Sequence, residues 1–296
     1  MGSRRFRDAR AVLEQMLAEN PDSSSAPVVF FMVACAEHDD ALMQRLLEKS
    51  DGRETEASLH LLQAQALAAG GELSKSREIF RHTLDLARRF KRQDLEASAD
   101  ARRALVESLL GNPGPARSSA TEALRLSLGT EIRAITAHAL ARARDFDRAE
   151  RLALELEKQY PEDSILNRVW LPTVRAAMEV ERDRPDRAIE RLRPVKPYEL
   201  GFLAGVAPTF LRGEAFLRAG DGARAAVEFE KIIARPGVEA VSPIHALAWL
   251  ELARAAKLAG NPARSREAYQ QFLAFWKNAD TDLPILKQAK AEFARQ

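Results

Sequence analysis

The sequence predicts an all-α solenoid, with about 16 helices in seven or eight stacked hairpins. Three observations predict it. Aromatic residues make up only 6% of the 296-residue chain and hydrophobic residues 46%, so the apolar content is mostly Ala and Leu, set beside Arg and Glu. That mixture favours helix over strand. A short break of the Gly-Asp type recurs along the chain, followed at a fixed offset by a small residue and four positions later by a larger apolar one. The best-formed copy, FLRGEAFLRAGDGARAAVEFEKII, packs helix, turn and helix into residues 210–233. A single hairpin of that kind leaves one apolar face open, so copies must stack.

The copies can be followed in order. RFRDARAVLEQMLAENPD sets Ala9, Leu13, Met16 and Pro21 in the frame of a second helix whose first helix is missing before Arg4. Residues 1–22 are therefore expected to be a partial repeat in a fragment of a longer chain, with Met1-Gly2-Ser3 a cloning remnant. A weak, short copy, EHDDALMQRLLEKS, centres on Ala41. Gly71-Glu72 leads to Ser76 and Phe80, and Gly111-Asn112 to Ala116 with Ala120 in the large slot. Arg144-Asp145 leads to Ala149, Asp183-Arg184 to Ala188 and Leu192, Gly220-Asp221 to Ala225 and Phe229, and Gly260-Asn261 to Ser265 and Tyr269. The small residues recur every 32 to 40 positions, a period of stacked helical hairpins. Gly supplies the left-handed backbone that ends the first helix. The neighbouring Asp or Asn is suited to cap the second. The small residue lets two helix axes approach to about 8–10 Å. At the C-terminus, TDLPILKQAKAEFARQ offers Thr281 or Asp282 as a cap, Pro284 in the first turn, and apolar Ile285, Leu286, Ala289 and Phe293. A capping helix over 284–295 is expected to cover the last hairpin, completing one array over 1–296.

Composition bounds the function. Lys plus Arg total 45 against 43 Asp plus Glu, with 22 of each in residues 1–148. Neither half is a basic arm, so nucleic acid is not expected as a partner. The run from Arg81 to Arg92 reads as a solvated helix end. Cys35, the only cysteine, lies in the apolar run VVFFMVACA and reads as a buried structural thiol. That run is too short to cross a bilayer, so no membrane insertion is expected. The five histidines are scattered, and neither HExxH nor CxxC occurs, so no metal site is expected. EHDD at 37–40 supplies a helix cap, Asp39 or Asp40, rather than ligands. GNPGPARSS at 111–119 lacks the lysine and spacing of a phosphate loop. No nucleophile with a positioned base is visible. Catalytic residues, cofactors and enzymatic activity are therefore not expected.

The residues resemble tetratricopeptide repeats. LELARAAKLAGNPARSREAYQQFLAFW carries the pattern through Leu252, Ala253, Gly260, Tyr269 and Phe272, and RDFDRAERLALELEKQYPED through Phe146, Ala149 and Tyr160-Pro161. In the stretch around 210–233 it runs through Gly213, Phe216, Gly220, Ala225 and Phe229, with Arg212 where an apolar residue is expected. YPEDSILNRVWLPTVRAAMEV, and further on YELG, LRGEAFLRAGDGARAAVEFEKII and SPIHALAWLELARAAKLAGNPARSREAYQQFLAFWKNADTDLPILKQAKAEF, also make residues 60–296 similar to the C-terminal repeat region of bacterial, acidobacterial-type eukaryotic-like serine/threonine protein kinases. That resemblance implies a right-handed superhelix, and a kinase domain, sometimes with a membrane span, preceding the repeats. None of the kinase motifs is present in this chain.

In tetratricopeptide arrays the first helices line a concave groove. Carried onto this sequence, the groove positions include Gln65, Leu105, His138, Arg142 and Trp170. On the C-terminal side they include Glu214, Arg218, Arg254 and Lys257. The groove is mixed in charge and lacks the Asn and Lys set that clamps a C-terminal carboxylate in heat-shock co-chaperones. The expected function is recognition of a protein or peptide as the sensing or scaffolding part of a signalling protein; self-association is compatible with it. A small-molecule sensor is the alternative, ahead of a helical-repeat nucleic-acid binder or an all-α enzyme. The segment reads as soluble, cytoplasmic, or periplasmic if a parent kinase carries a membrane span before the repeats.

Overall fold

Every hairpin turns on one residue in left-handed backbone. Gly71, Gly111, Gly220 and Gly260 have φ between 74° and 82°, and His38, Arg144 and Asp183 occupy the same place at 57° to 59°. At each turn the following N–H reaches back to the helix: Asp39 to Ala34 O, Glu72 to Leu67 O, Asn112 to Glu107 O, and Asp221 to Phe216 O, at 2.8–2.9 Å. These bonds are the Schellman closure that satisfies the last carbonyls of a helix and reverses the chain.

The computed structural model describes residues 2–20, 23–53, 55–127 and 129–295; Met1 and Pro21 lie outside the described residues. Helix α1 (Gly2–Glu19) precedes hairpins α2 (Ser25–Glu37) with α3 (Asp40–Ser50) and α4 (Thr55–Ala69) with α5 (Leu73–Arg89). Then come α6 (Gln93–Leu109) with α7 (Pro113–Leu126), and α8 (Thr130–Arg142) with α9 (Phe146–Gln159). A π-helical turn (Leu166–Trp170) leads into α10 (Leu171–Glu181), paired with α11 (Pro185–Arg191) and a 3₁₀ segment (Arg193–Tyr198). The last hairpins are α12 (Ala207–Arg218) with α13 (Gly222–Ile233) and α14 (Ile244–Leu258) with α15 (Pro262–Phe275), followed by α16 (Pro284–Phe293). Among the described residues there is no strand, and no helix is long and apolar enough to cross a membrane.

The small residues fall where the repeat demands. Ser76, Ala116, Ala149, Ala188, Ala225 and Ser265 are each the fourth residue of their helix, and each is at most 1% exposed. The two serines use the close approach: Ser76 Oγ donates to Ala64 O at 2.7 Å and Ser265 Oγ to Ala253 O at 2.8 Å. Ala41 departs from the expected frame. Asp39 accepts from the Leu42 N–H at 3.0 Å and starts α3 at Asp40. Ala41 is thus the second residue and is exposed, and Met43 takes the fourth place, with its sulfur 3.2 Å from Cys35 Sγ. Burial and the nearby Asp40 push the Cys35 thiol up to about 12, which suits a structural thiol.

Capping also departs in part. Asp221 and Asn261 accept from the N–H groups of Arg224 and Arg264, but the side chains of Asn112 and Asp145 make no such bond. Neither Thr281 nor Asp282 caps α16, which has Leu283 in the cap position. Pro284 at its start has no N–H to satisfy, which reduces what a cap would gain. The nearby Asp280 is used elsewhere, accepting from Ser74 N at 2.7 Å.

That last bond spans 206 residues and belongs to a self-contact of the array. The first helices of successive hairpins touch in order from α4 through α6, α8, α10 and α12 to α14, and α14 touches α4 again. Trp276 Nε1 donates to Ala69 O at 2.9 Å and Asp280 N to Gly71 O at 3.0 Å. Gly71 must be glycine twice over: its φ is 79°, and an added Cβ would fall 2.5 Å from Ala279 Cβ. One buried cluster accordingly joins Ala57, Phe80 and Leu110 to Phe229, Tyr269 and Trp276. A second joins Leu13, Phe30 and Phe31 of the first helices to Val241, which precedes α14.

Helix α16 lies on the last hairpin, with Leu286 and Ala289 buried. Tyr269 Oη donates to Glu292 Oε2 at 2.8 Å, and the Tyr269 and Phe293 rings are 5.9 Å apart.

Ala225→Leu is expected to destabilise the chain by about 1–3 kcal/mol through overpacking. An unchanged urea midpoint would reject this helix crossing. Deleting 282–296 is expected to lower the melting temperature and cause association by uncovering Tyr269 and Phe272; a monomeric truncation with unchanged melting would contradict the covering role.

Candidate functional site

Helix α12 carries the residues that the repeat pattern does not explain. Arg212, where an apolar side chain was expected, is buried. Its guanidinium is held by Glu199, from the segment before α12, and by Glu228 of α13 at 2.8 Å. Lys231 Nζ adds a bond to Glu228 at 2.6 Å. Burial pushes the Glu228 carboxyl up, but Arg212 and Lys231 outweigh it and hold it below the ordinary range. The departure is therefore a local adaptation, not a slip of register: a buried cation ties the preceding loop to the second helix of the same hairpin.

Two positions further on, Glu214 begins a charged ladder across the first helices. Arg142 of α8 donates to both Glu214 oxygens, at 2.8 and 3.1 Å, and lies 3.3 Å from Glu181 of α10. Arg218 lies one turn from Glu214 at 4.0 Å. Arg254 of α14 pairs with Glu251 at 2.6 Å and with Glu292 of α16 at 2.9 Å. Burial opposes the Arg142 charge, but Glu214 and Glu181 more than compensate and raise its pKa. Burial also pushes Glu251 up, against the pull of Arg254. His138, one turn before Arg142, is pushed down to about 3 by burial and by the Arg142 charge. It is thus neutral at pH 7. His138 Nε2 and Arg142 Nε are buried and make no hydrogen bond within the protein.

The structure gathers some groove candidates and separates others. Arg142, His138, Glu214 and Arg218 come together where α8, α10 and α12 meet. Arg254 and Lys257, with Leu258, Tyr269 and Glu292, line an open depression between α14, α15 and α16. Gln65 is buried on α4 and donates to Leu61 O at 3.2 Å, and Leu105 is packed against the core. Trp170 ends the π-helical turn and donates through Nε1 to Leu203 O at 2.9 Å, beside Phe202, which is 95% exposed. The sequence alone does not point to the ladder's partners Glu181, Glu251 and Glu292. They share no position in the repeat: Glu181 ends α10, Glu251 lies in the middle of α14, and Glu292 is on α16. The basic run 81–92 is partly neutralised, Arg88 by Glu96 at 2.7 Å and Arg92 by Asp94 at 2.9 Å.

Residues 210–280 match the tetratricopeptide-repeat family model. No curated protein matches the chain in sequence. Among solved structures, the chain is similar to the APC/C hetero-tetramer Cut9-Hcn1, at 15% identity and a TM-score of 0.50, over 96% of this chain and 52% of that one. Against yeast Tom70 the values are 16% and 0.49, over 98% and 58%. The chain thus spans little more than half the length of the structures it resembles. At such identity, the likeness to Cut9 concerns the fold: a tetratricopeptide-like α-solenoid.

Arg212→Leu is expected to cost about 3–5 kcal/mol by leaving two carboxylates buried without a cation. Denaturant unfolding checks this, and Glu228→Gln in the same chain should recover part of the loss. A neutral Arg212→Leu would contradict the pairing.

Proposed function

We propose that residues 1–296 act as one recognition array that binds a protein or peptide segment on its inner face. The observation that carries this reading is the depression lined by Arg254, Lys257, Leu258, Tyr269 and Glu292. All three guanidinium nitrogens of Arg254 are bonded to Glu251 and Glu292, but the exposed Lys257 and the half-exposed Leu258 stand beside it. Two cations, one anion and exposed apolar surface suit a segment presenting an acidic group next to an apolar side chain. The mechanism is shape and charge complementarity, with no bond made or broken. The repeat pattern and the tetratricopeptide match at 210–280 support a binding role over chemistry.

The likeness of residues 60–296 to the repeat regions of bacterial serine/threonine kinases supports a place in a signalling protein, with any kinase activity residing in another segment. A small-molecule sensor remains the second reading, favoured by the unspent polar atoms of His138 and Arg142, which a buried ligand or water would satisfy. Self-association through the same face is a third use of such an array.

The test is a peptide-array and pull-down comparison of the native chain with Lys257→Glu. Captured segments should be acidic and apolar, and capture should fall at least about tenfold in the variant, the loss of one favourable charge contact turned repulsive. Equal capture by both proteins would sink the assignment to this face.

A further inference from the structure

The hairpin α4–α5 brings together three side chains that lie up to 26 positions apart in sequence. Glu56 and His60 are four residues apart on α4 and so share one face. His82 comes from α5. One donor atom from each of the three lies within 4.8 Å of the others. The His60 and His82 rings meet edge to face, with centroids 4.8 Å apart and an interplanar angle of 80°. Glu56 Oε1 lies 3.9 Å from His82 Nε2.

The surroundings hold these groups in the form that ligands need. Glu56 is only 6% exposed, and its other oxygen, Oε2, accepts from the Gly52 N–H at 2.9 Å. His60 Nδ1 is 2.8 Å from Gln63 Oε1. A carboxamide oxygen can only accept, so Nδ1 carries the proton and the Nε2 lone pair is left for a ligand. His82 is exposed, which gives a cation a way in and the ring freedom to swing. A tetrahedral site with bonds near 2.0–2.1 Å separates its donors by roughly 3.3 Å, so closing the site asks donors now within 4.8 Å of one another to draw in by up to about 1.5 Å.

We propose that Glu56, His60 and His82 form a three-ligand site for a divalent transition cation of the zinc class, with a fourth position open to water. Two imidazoles and one carboxylate match the borderline character of Zn²⁺, whereas Ca²⁺ and Mg²⁺ prefer oxygen donors. The bound ion cross-links α4 and α5 near the end of the hairpin opposite the Gly70-Gly71 turn. It stabilises the folded chain by mass action, because the unfolded chain does not hold the three groups together. Gln63 acts as a positioning residue for His60. This inference stands apart from the recognition reading, since it rests on one hairpin and uses none of the residues around Lys257.

The experiment titrates the untagged, metal-stripped chain with Co²⁺ and follows visible absorption, then displaces Co²⁺ with Zn²⁺ and records melting. One equivalent should bind with the intense bands of a tetrahedral ion, and Zn²⁺ should raise the melting temperature. His82→Ala, a surface change that preserves the fold, should weaken binding by at least about tenfold and abolish the melting shift, and Gln63→Ala should weaken it by about tenfold. His60→Ala should behave as His82→Ala does. Absence of saturable Co²⁺ binding, or binding undiminished in His82→Ala, would overturn the site.

Discussion

The structure depends on the close approach of two helices at one residue of each hairpin. That residue is the fourth of the second helix, and from Ser76 to Ser265 it is Ala or Ser with almost no exposed surface. A larger side chain there would hold the helices apart and change the angle at which the next hairpin stacks. The left-handed residue just before the second helix sets the same geometry from the backbone side. Where glycine fills it the conformation comes without strain; Arg144 and Asp183 adopt it at some cost. Five nearly constant steps, from α4 to α14, carry the chain round until Trp276 reaches Ala69. The self-contact is thus a sum of local steps, secured at its end by a specific glycine, Gly71, and a specific carboxylate, Asp280.

The same step decides what the inner face can offer. Charged residues on one first helix meet counterparts on those that follow. Arg142 of α8 lies beside Glu181 of the next first helix, α10, and reaches past it to Glu214 of α12, 72 residues away. Such pairs have two consequences. They tie hairpins together where small residues leave little apolar area to bury. They also engage the charged groups they join, so a partner on that face would either compete with a formed pair or use groups at the margin. The depression beside α16 is such a margin, because Lys257 and Leu258 reach it from α14 without the constraint of a bidentate partner.

Much of this was legible in the sequence, for a physical reason. Turn residues and small residues act locally, so the breaks at Gly71, Gly111, Gly220 and Gly260 and the buried positions from Ser76 onward follow from the one-dimensional pattern. Ala41 did not follow, because Asp39 captures the Leu42 N–H and shifts the start of α3 by half a turn. Caps were only half legible: Asp221 and Asn261 accept the N–H three residues on, whereas the residue three after Asn112 is Pro115, which has no N–H to give. Arg212 read as an anomaly, since its carboxylate partners lie 13 and 16 residues away on other elements. Glu56, His60 and His82 read as scattered, because only the antiparallel pairing of α4 with α5 makes them neighbours. The closing of the array was not legible at all. It depends on the small rotation between successive hairpins, accumulated around the whole turn.

The most direct test is a distance across the closing contact. Spin labels on cysteines placed at Arg77 and Lys277, in a chain with Cys35 replaced by Ala, report the separation of α5 from the segment after α15. An array that turns onto itself gives one narrow distribution at the short end of the measurable range, unchanged by moderate salt. A broad distribution centred at long distance would contradict the account, since it would mean that the hairpins stack but the turn does not close.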